Sequence, residues 1–90
     1  MVKRGRVDIY AEILEAVSRR GSMPITKIGY ASGLPLDRTR KLLNILISYG
    51  LIKEELGERP QFIVTKRGFE FLDAYRKMRA FLNILSEGLT

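Results

Sequence analysis

"LPLDRTRKLLNILISYGLI", residues 34–52, is the stretch whose reading decides the fold. A helix drawn through it has two opposed faces. On a wheel, Leu36, Leu42, Leu43, Leu46 and Ile47 fall on one arc. Asp37, Arg40, Lys41, Asn44 and Ser48 fall on the other, with Arg38 at the border near the N-terminus. The helix begins near Pro35 or Leu36 and ends before Gly50. By itself such a pattern also describes the solvated back of an ordinary surface helix, so its neighbours must discriminate.

Upstream, Ile9, Tyr10, Ile13, Leu14 and Val17 recur at helical spacing and predict a first helix over 7–20. Asp8 in its first turn and Arg19 and Arg20 in its last suit the helix dipole, and Gly21 ends it. Ser22, Met23 and Pro24 read as a connector. A short second helix follows over about 25–31, with Pro24 tolerated at its start and Ser32-Gly33 as its stop. Only Leu34 and its neighbours separate it from the third helix.

Downstream, 51–56 and 61–65 read as strands around a turn marked by Gly57 and Pro60. Thr65 suits an N-cap. A fourth helix then runs from Lys66 to about Ser86, roughly 30 Å at ~1.5 Å per residue. The order is helix, short helix, tight turn, helix, hairpin, helix. That is a mainly α fold with a small β-hairpin: a winged helix-turn-helix with a long C-terminal helix. The chain divides into a basic N-terminal arm (1–6), the winged domain (7–65) and a C-terminal helix (66–90) suited to dimerisation.

Ninety residues allow one small core. Lys and Arg number 16 against 10 Asp and Glu, a net charge of +6, which favours a polyanionic partner. The absence of Cys excludes a disulfide framework and a thiolate metal site. The absence of His removes the commonest metal ligand and general base together. No catalytic residues, metal or cofactor are expected. The carboxylates Glu54, Glu55 and Glu58 sit on an exposed hairpin, and an enzyme is the weakest reading. Scarce Asn and Gln lean towards a heat-adapted source. The basic start is broken by Asp8, Glu12 and Glu15, unlike a signal peptide, and no apolar run reaches the ~20 residues of a membrane span. A soluble, cytoplasmic, nucleoid-associated protein is expected, with no membrane or small-molecule partner evident.

In a helix-turn-helix the second helix of the pair lies in the DNA major groove, and the first crosses the backbone. Residues Asp37, Arg40, Lys41, Asn44 and Ser48 form one row at three- and four-residue steps, able to lie along a groove. Arg pairs guanine's two major-groove acceptors, and Asn pairs adenine. The candidate DNA contacts are therefore Arg38, Arg40, Lys41, Asn44 and Ser48. Lys27 and the arm residues Lys3, Arg4 and Arg6 are assigned to the backbone. Asp37 accepts from cytosine, orients an arginine or assists the helix cap, the cap being favoured. The wing is acidic except near its tip. There Arg59, held by Pro60, either enters a minor groove, which attracts arginine, or pairs with a neighbouring glutamate.

The last helix carries more apolar surface than one contact face needs. Phe71, Ala74, Met78, Phe81 and Leu85 alternate three- and four-residue steps, as a coiled-coil seam does, and Phe71, Tyr75, Met78, Leu82 and Leu85 make an overlapping seam. Phe71, Tyr75, Met78, Phe81, Leu82 and Leu85 are the candidate interface of a homodimer. The competing reading folds this helix back fully on a monomer core.

"LPLDRTRKLLNILISYGLIKEE" (34–55), "QFIVTKRGFEFL" (61–72) and "VDIYAEILEAV" (7–17) resemble the archaeal winged-helix DNA-binding proteins. The ten-kilodalton chromatin-associated class is the most similar. "YGLI" and "TKRG" are the most telling pieces, and the resemblance spans 7–85. It implies a dimer joined by antiparallel C-terminal helices, with two winged domains splayed to bind DNA through the third helix. The chain departs from the pattern twice: its last helix stops sooner than in members with a long coiled coil, and its wing is acidic. The resulting expectation is a dimeric, sequence-specific or general binder of double-stranded DNA, either a transcription regulator or a nucleoid protein. The alternative is a winged-helix protein-interaction module within a larger complex.

Overall fold

The computed structural model describes residues 5–88. Four helices and one hairpin follow in the order α1 (Arg6–Arg20), α2 (Ile25–Ser32), α3 (Leu36–Ser48), β1 (Ile52–Glu55), β2 (Gln61–Val64) and α4 (Lys66–Gly88). This is the winged helix-turn-helix architecture with a long terminal helix. The strands pair antiparallel, with Ile52 opposite Val64 and Glu55 opposite Gln61.

The core forms where all these elements converge. Tyr10, Ala11, Ile13, Leu14 and Val17 of α1 meet Ile28 of α2, Leu43 and Leu46 of α3, Phe62 and Val64 of β2, and Leu72 of α4. Tyr10, Ile13, Leu14 and Val17 are positions its periodicity picks out; Ala11 joins them although the pattern passes over it, and Ile9 is only half-buried. Gly5 N–H donates to Asp8 Oδ2 at 2.9 Å, which fixes the first turn, and Gly21 N–H closes the last on Val17 O at 2.9 Å.

The crossing of α2 over α3 is set by a close approach. Thr39 is fully buried, and its hydroxyl donates to Pro35 O at 2.9 Å. Gly29 lies against it. A Cβ there would stand 2.9 Å from Thr39 Oγ1 and 3.1 Å from Leu34 O, so only glycine lets the two helices come this near. The contact also corrects the wheel. The buried line of α3 is Thr39, Leu43 and Leu46, with Leu42 and Ile45 beside it, whereas Leu36 is 47% and Ile47 36% exposed. Leucine and isoleucine outweigh threonine on a hydrophobicity wheel, yet Thr39 faces α2 because it satisfies its own hydroxyl within the helix.

Met23 is more than a connector. Its N–H donates to Phe62 O at 3.1 Å, and Phe62 N–H returns to Met23 O at 2.8 Å, a one-residue antiparallel bridge that ties the entrance of α2 to the wing. A single rung has no periodicity, so no pattern announced it.

Thr65 fixes the start of α4. Its Oγ1 accepts from Gly68 N–H at 3.0 Å, which is the N-cap bond. The hydroxyl also donates to Gly50 O at 2.6 Å, and the Thr65 N–H to Leu51 O at 3.1 Å. Gly68 is pressed on the β1 approach so closely that a Cβ would fall 2.2 Å from Leu51 O. Leu72, one turn further on, is the buried anchor of the helix.

Candidate nucleic-acid interface

The polar row of α3 stands clear of the body. Asp37, Arg38, Arg40, Lys41, Asn44 and Ser48 are all exposed. Arg40 and Asn44 line one wall of a groove; Arg59, Pro60 and Glu54 of the wing line the other, with Pro24 to Thr26 closing the end at α2. Lys27 is exposed one residue beyond that end. Arg38 and Lys41 lie outside the groove on the same free helix surface.

Not every candidate joins this cluster. Ser48 turns its hydroxyl back on Ile45 O at 2.6 Å and so has its proton engaged within the helix. Arg6 belongs to the first turn of α1 rather than to an arm. It lines a separate groove with Tyr49, Leu51 and Arg67, so it is not with the α3 row. Lys3 and Arg4 lie outside the described residues. Among the described residues Asp37 makes no side-chain hydrogen bond, and no side chain caps α3. Its carboxylate acts on the helix only as a charge in the first turn. Glu54 was not singled out as a groove residue; its position opposite Phe62 in the hairpin brings it there, a consequence of register that composition alone does not reveal.

Ion pairs take up some cations of α1 and α4, while Arg6, Arg20, Lys66 and Arg67 of the same helices make none among the described residues. On α1 and α4 the described ion pairs are Arg19–Glu15 at 2.9 Å, Arg76–Glu15 at 3.4 Å and Lys77–Asp73 at 3.0 Å. Among the described residues, Lys27, Arg38, Arg40, Lys41 and Arg59 make no ion pair. Arg59 thus stays free of the wing glutamates. An unpaired row of cations and one amide, at helical spacing and beside a groove, offers donors to phosphates and base edges without first breaking internal bonds.

The distal surface is apolar. Phe71 and Tyr75 are half-buried against the protein's own core, with rings stacked at 6.3 Å and 19°. The Tyr75 hydroxyl donates to Asp8 Oδ1. That bond, with help from Gly5 N–H, holds the Asp8 carboxyl below its usual range, and the carboxylate in turn pushes the Tyr75 phenol up. Of the six candidate interface residues, these two are therefore occupied within the monomer. Met78, Phe81, Leu82 and Leu85 are exposed, as is Ile84, which lies off the seam. Among the described residues no three His, Cys, Asp or Glu side chains gather as a metal site. No helix there is long and apolar enough to cross a membrane.

Comparisons with known proteins agree with this geometry. No curated protein matches the sequence. Among solved structures, Sso10a-2, a DNA-binding protein from Sulfolobus solfataricus, superposes with a TM-score of 0.75 at 22% identity, covering 96% of this chain and 93% of that one. MepR, a transcription regulator of the Staphylococcus aureus multidrug efflux pump MepA, gives 0.81 at 14% identity, over 92% of this chain and 64% of its own. A MarR-family transcriptional regulator from Silicibacter pomeroyi gives 0.71 at 21% identity, and this chain spans only 58% of its length. At such identities the superpositions speak for the fold. The winged helix-turn-helix family model matches residues 3–83, and the chain belongs to that family.

Proposed function

We propose that this chain binds double-stranded DNA, laying α3 in the major groove, and that two copies pair through the distal half of α4. The polar row of α3 carries the reading: Arg38, Arg40 and Lys41 stand exposed with Asn44 at helical spacing beside the groove and make no ion pair among the described residues. Arg40 and Asn44 address base edges. Arg38, Lys41 and Lys27 hold the backbone, and Arg59 reaches from the wing. The Sulfolobus DNA-binding protein and the MarR-family regulators support a place among transcription regulators or nucleoid proteins. A second reading, a protein-interaction module, has one observation in its favour, the exposed apolar stripe of Met78, Phe81, Leu82 and Leu85.

A salt titration separates the two. Each phosphate contact contributes about −0.9 to the slope of log K against log salt. Binding to a duplex should weaken steeply with salt, and Arg40→Glu with Lys41→Glu should bind far less while remaining folded. Undiminished binding by that variant removes α3 as the DNA face.

A further inference from the structure

A second groove meets the first at Thr26, which lines both. It runs between the C-terminal half of α1 and the outer face of α2. Its floor is Ala16, Met23 and Ala31, and its walls are Arg20, Lys27 and Tyr30. The geometry points to this groove as a second DNA contact, one that takes the sugar–phosphate backbone of the same duplex outside the segment held by α3. The inference rests on the proposed function and extends it.

Charge comes first. Arg19 also lines the groove, but Glu15 engages it, and Glu15 is further neutralised by Arg76. Arg20 and Lys27 have no ion pair among the described residues, so the groove presents two free cations beside a carboxylate already satisfied. Tyr30 is the second observation. It is 92% exposed, and neither its hydroxyl nor its ring has a partner among the described residues. It lies three residues from Lys27 on the same helix, just under one turn. A tyrosine hydroxyl is a regular phosphate donor, and its ring packs on a sugar.

The floor fits such an occupant. Ala16 and Ala31 are small, so a backbone can come close between the walls. Continuity through Thr26 places this track alongside the reading groove. One ring is a single station, whereas single-stranded nucleic acid is held by successive bases on successive aromatic rings. The occupant is accordingly a duplex backbone.

The experiment compares duplexes of about one and about three helical turns, at ~10–10.5 base pairs per turn. The proteins are the unmodified chain, Arg20→Ala with Tyr30→Ala, and Arg40→Glu with Lys41→Glu. Both groove side chains reach solvent, so the first variant should fold normally, which its melting curve checks. It should lose several-fold in affinity for the long duplex, with a salt slope lower by about 0.9 for the lost cation, and bind the short duplex as the unmodified chain does. Equal loss on both lengths places the groove inside the core footprint and overturns the flanking contact. No loss on either, while the α3 variant loses on both, overturns the groove and leaves the proposed function standing. If the α3 variant loses nothing, the DNA reading itself fails. A single strand of the long duplex's length is run alongside; a groove variant that loses binding to it and to neither duplex overturns the choice of occupant.

Discussion

From Lys66 to Tyr75, α4 is closed onto the body of the protein; from Met78 to Leu85 it is open. Gly68 and Leu72 are buried and Phe71 and Tyr75 half-buried in the first stretch, while Phe81, 68% exposed, typifies the second. The same three- and four-residue spacing of apolar residues runs through both. The comparison teaches that periodicity marks where apolar surface needs cover, without saying which chain supplies it. The first half is covered by α1, β2 and the approach to β1. The second has no such neighbour among the described residues, and an exposed apolar stripe on a small domain is a place for association. Full burial of each Phe or Leu there would contribute ~1.5–3 kcal/mol.

Three variants test that division, from the largest effect to the smallest. Leu72→Ala removes the anchor of the closed half and should cost ~2–5 kcal/mol of stability, lowering the melting temperature of the whole domain. A loss no larger than that of an exposed-site control would show that α4 is not part of the core. In the open half, Phe81→Glu with Leu85→Glu should act on association. The unmodified protein should melt at higher temperature as its concentration rises. The double variant should sediment as a monomer, melt independently of concentration and bind DNA more weakly because its two readers are unlinked. An unmodified chain that sediments as a monomer at micromolar concentration would sink the pairing.

The smallest effect belongs to the border, at Tyr75→Phe, which removes the bond to Asp8. Because the folded Asp8 carboxyl titrates below its usual 3.8, its contribution is whole above that pH and fades as the pH falls through the lowered value. The Tyr75 phenol is raised above its usual 10.0, so its share is lost as the pH climbs through that raised value. The difference in melting temperature between Tyr75→Phe and the unmodified chain should therefore span the neutral range and vanish at both extremes. A difference that persists in strong acid would show that the hydroxyl acts independently of the Asp8 charge.

The element order was legible in the sequence because each helix announces itself by spacing and each boundary by Gly, Pro or Thr65. The third and fourth helices start within a residue of where Pro35 and Thr65 put them. What the pattern did not carry was the relation between elements. Gly29 against Thr39, Gly68 against Leu51 and the Met23–Phe62 bridge are contacts between segments distant in sequence or small in side chain, and they leave no trace in a wheel. The exposure of the polar row of α3 was legible residue by residue for Arg38, Arg40, Lys41, Asn44 and Ser48, since polar positions opposite a buried line must face water. The bond from the Ser48 hydroxyl to Ile45 O was not legible, because a serine near a helix end has several of its own carbonyls within reach. That Arg6 belongs to α1 was not legible either, because a helix can start earlier than its first apolar residue.

The Thr65 clamp, described above as a cap, has a further consequence for the whole assembly. With its hydroxyl on Gly50 O and its N–H on Leu51 O, it ties the capped start of α4 to the end of α3. In the proposed dimer α4 is then both axle and ruler. The azimuth of its distal stripe fixes how far apart, and at what relative angle, the two α3 helices meet the duplex. One residue inserted after Tyr75 turns that stripe by about 100° and lifts it ~1.5 Å, which throws the readers out of phase with a helical turn of DNA. Seven residues, nearly two turns, bring the angle almost back while lengthening the span by roughly 10 Å. On that proposal the distance between two DNA half-sites is set by the phase of a helix that need not touch DNA.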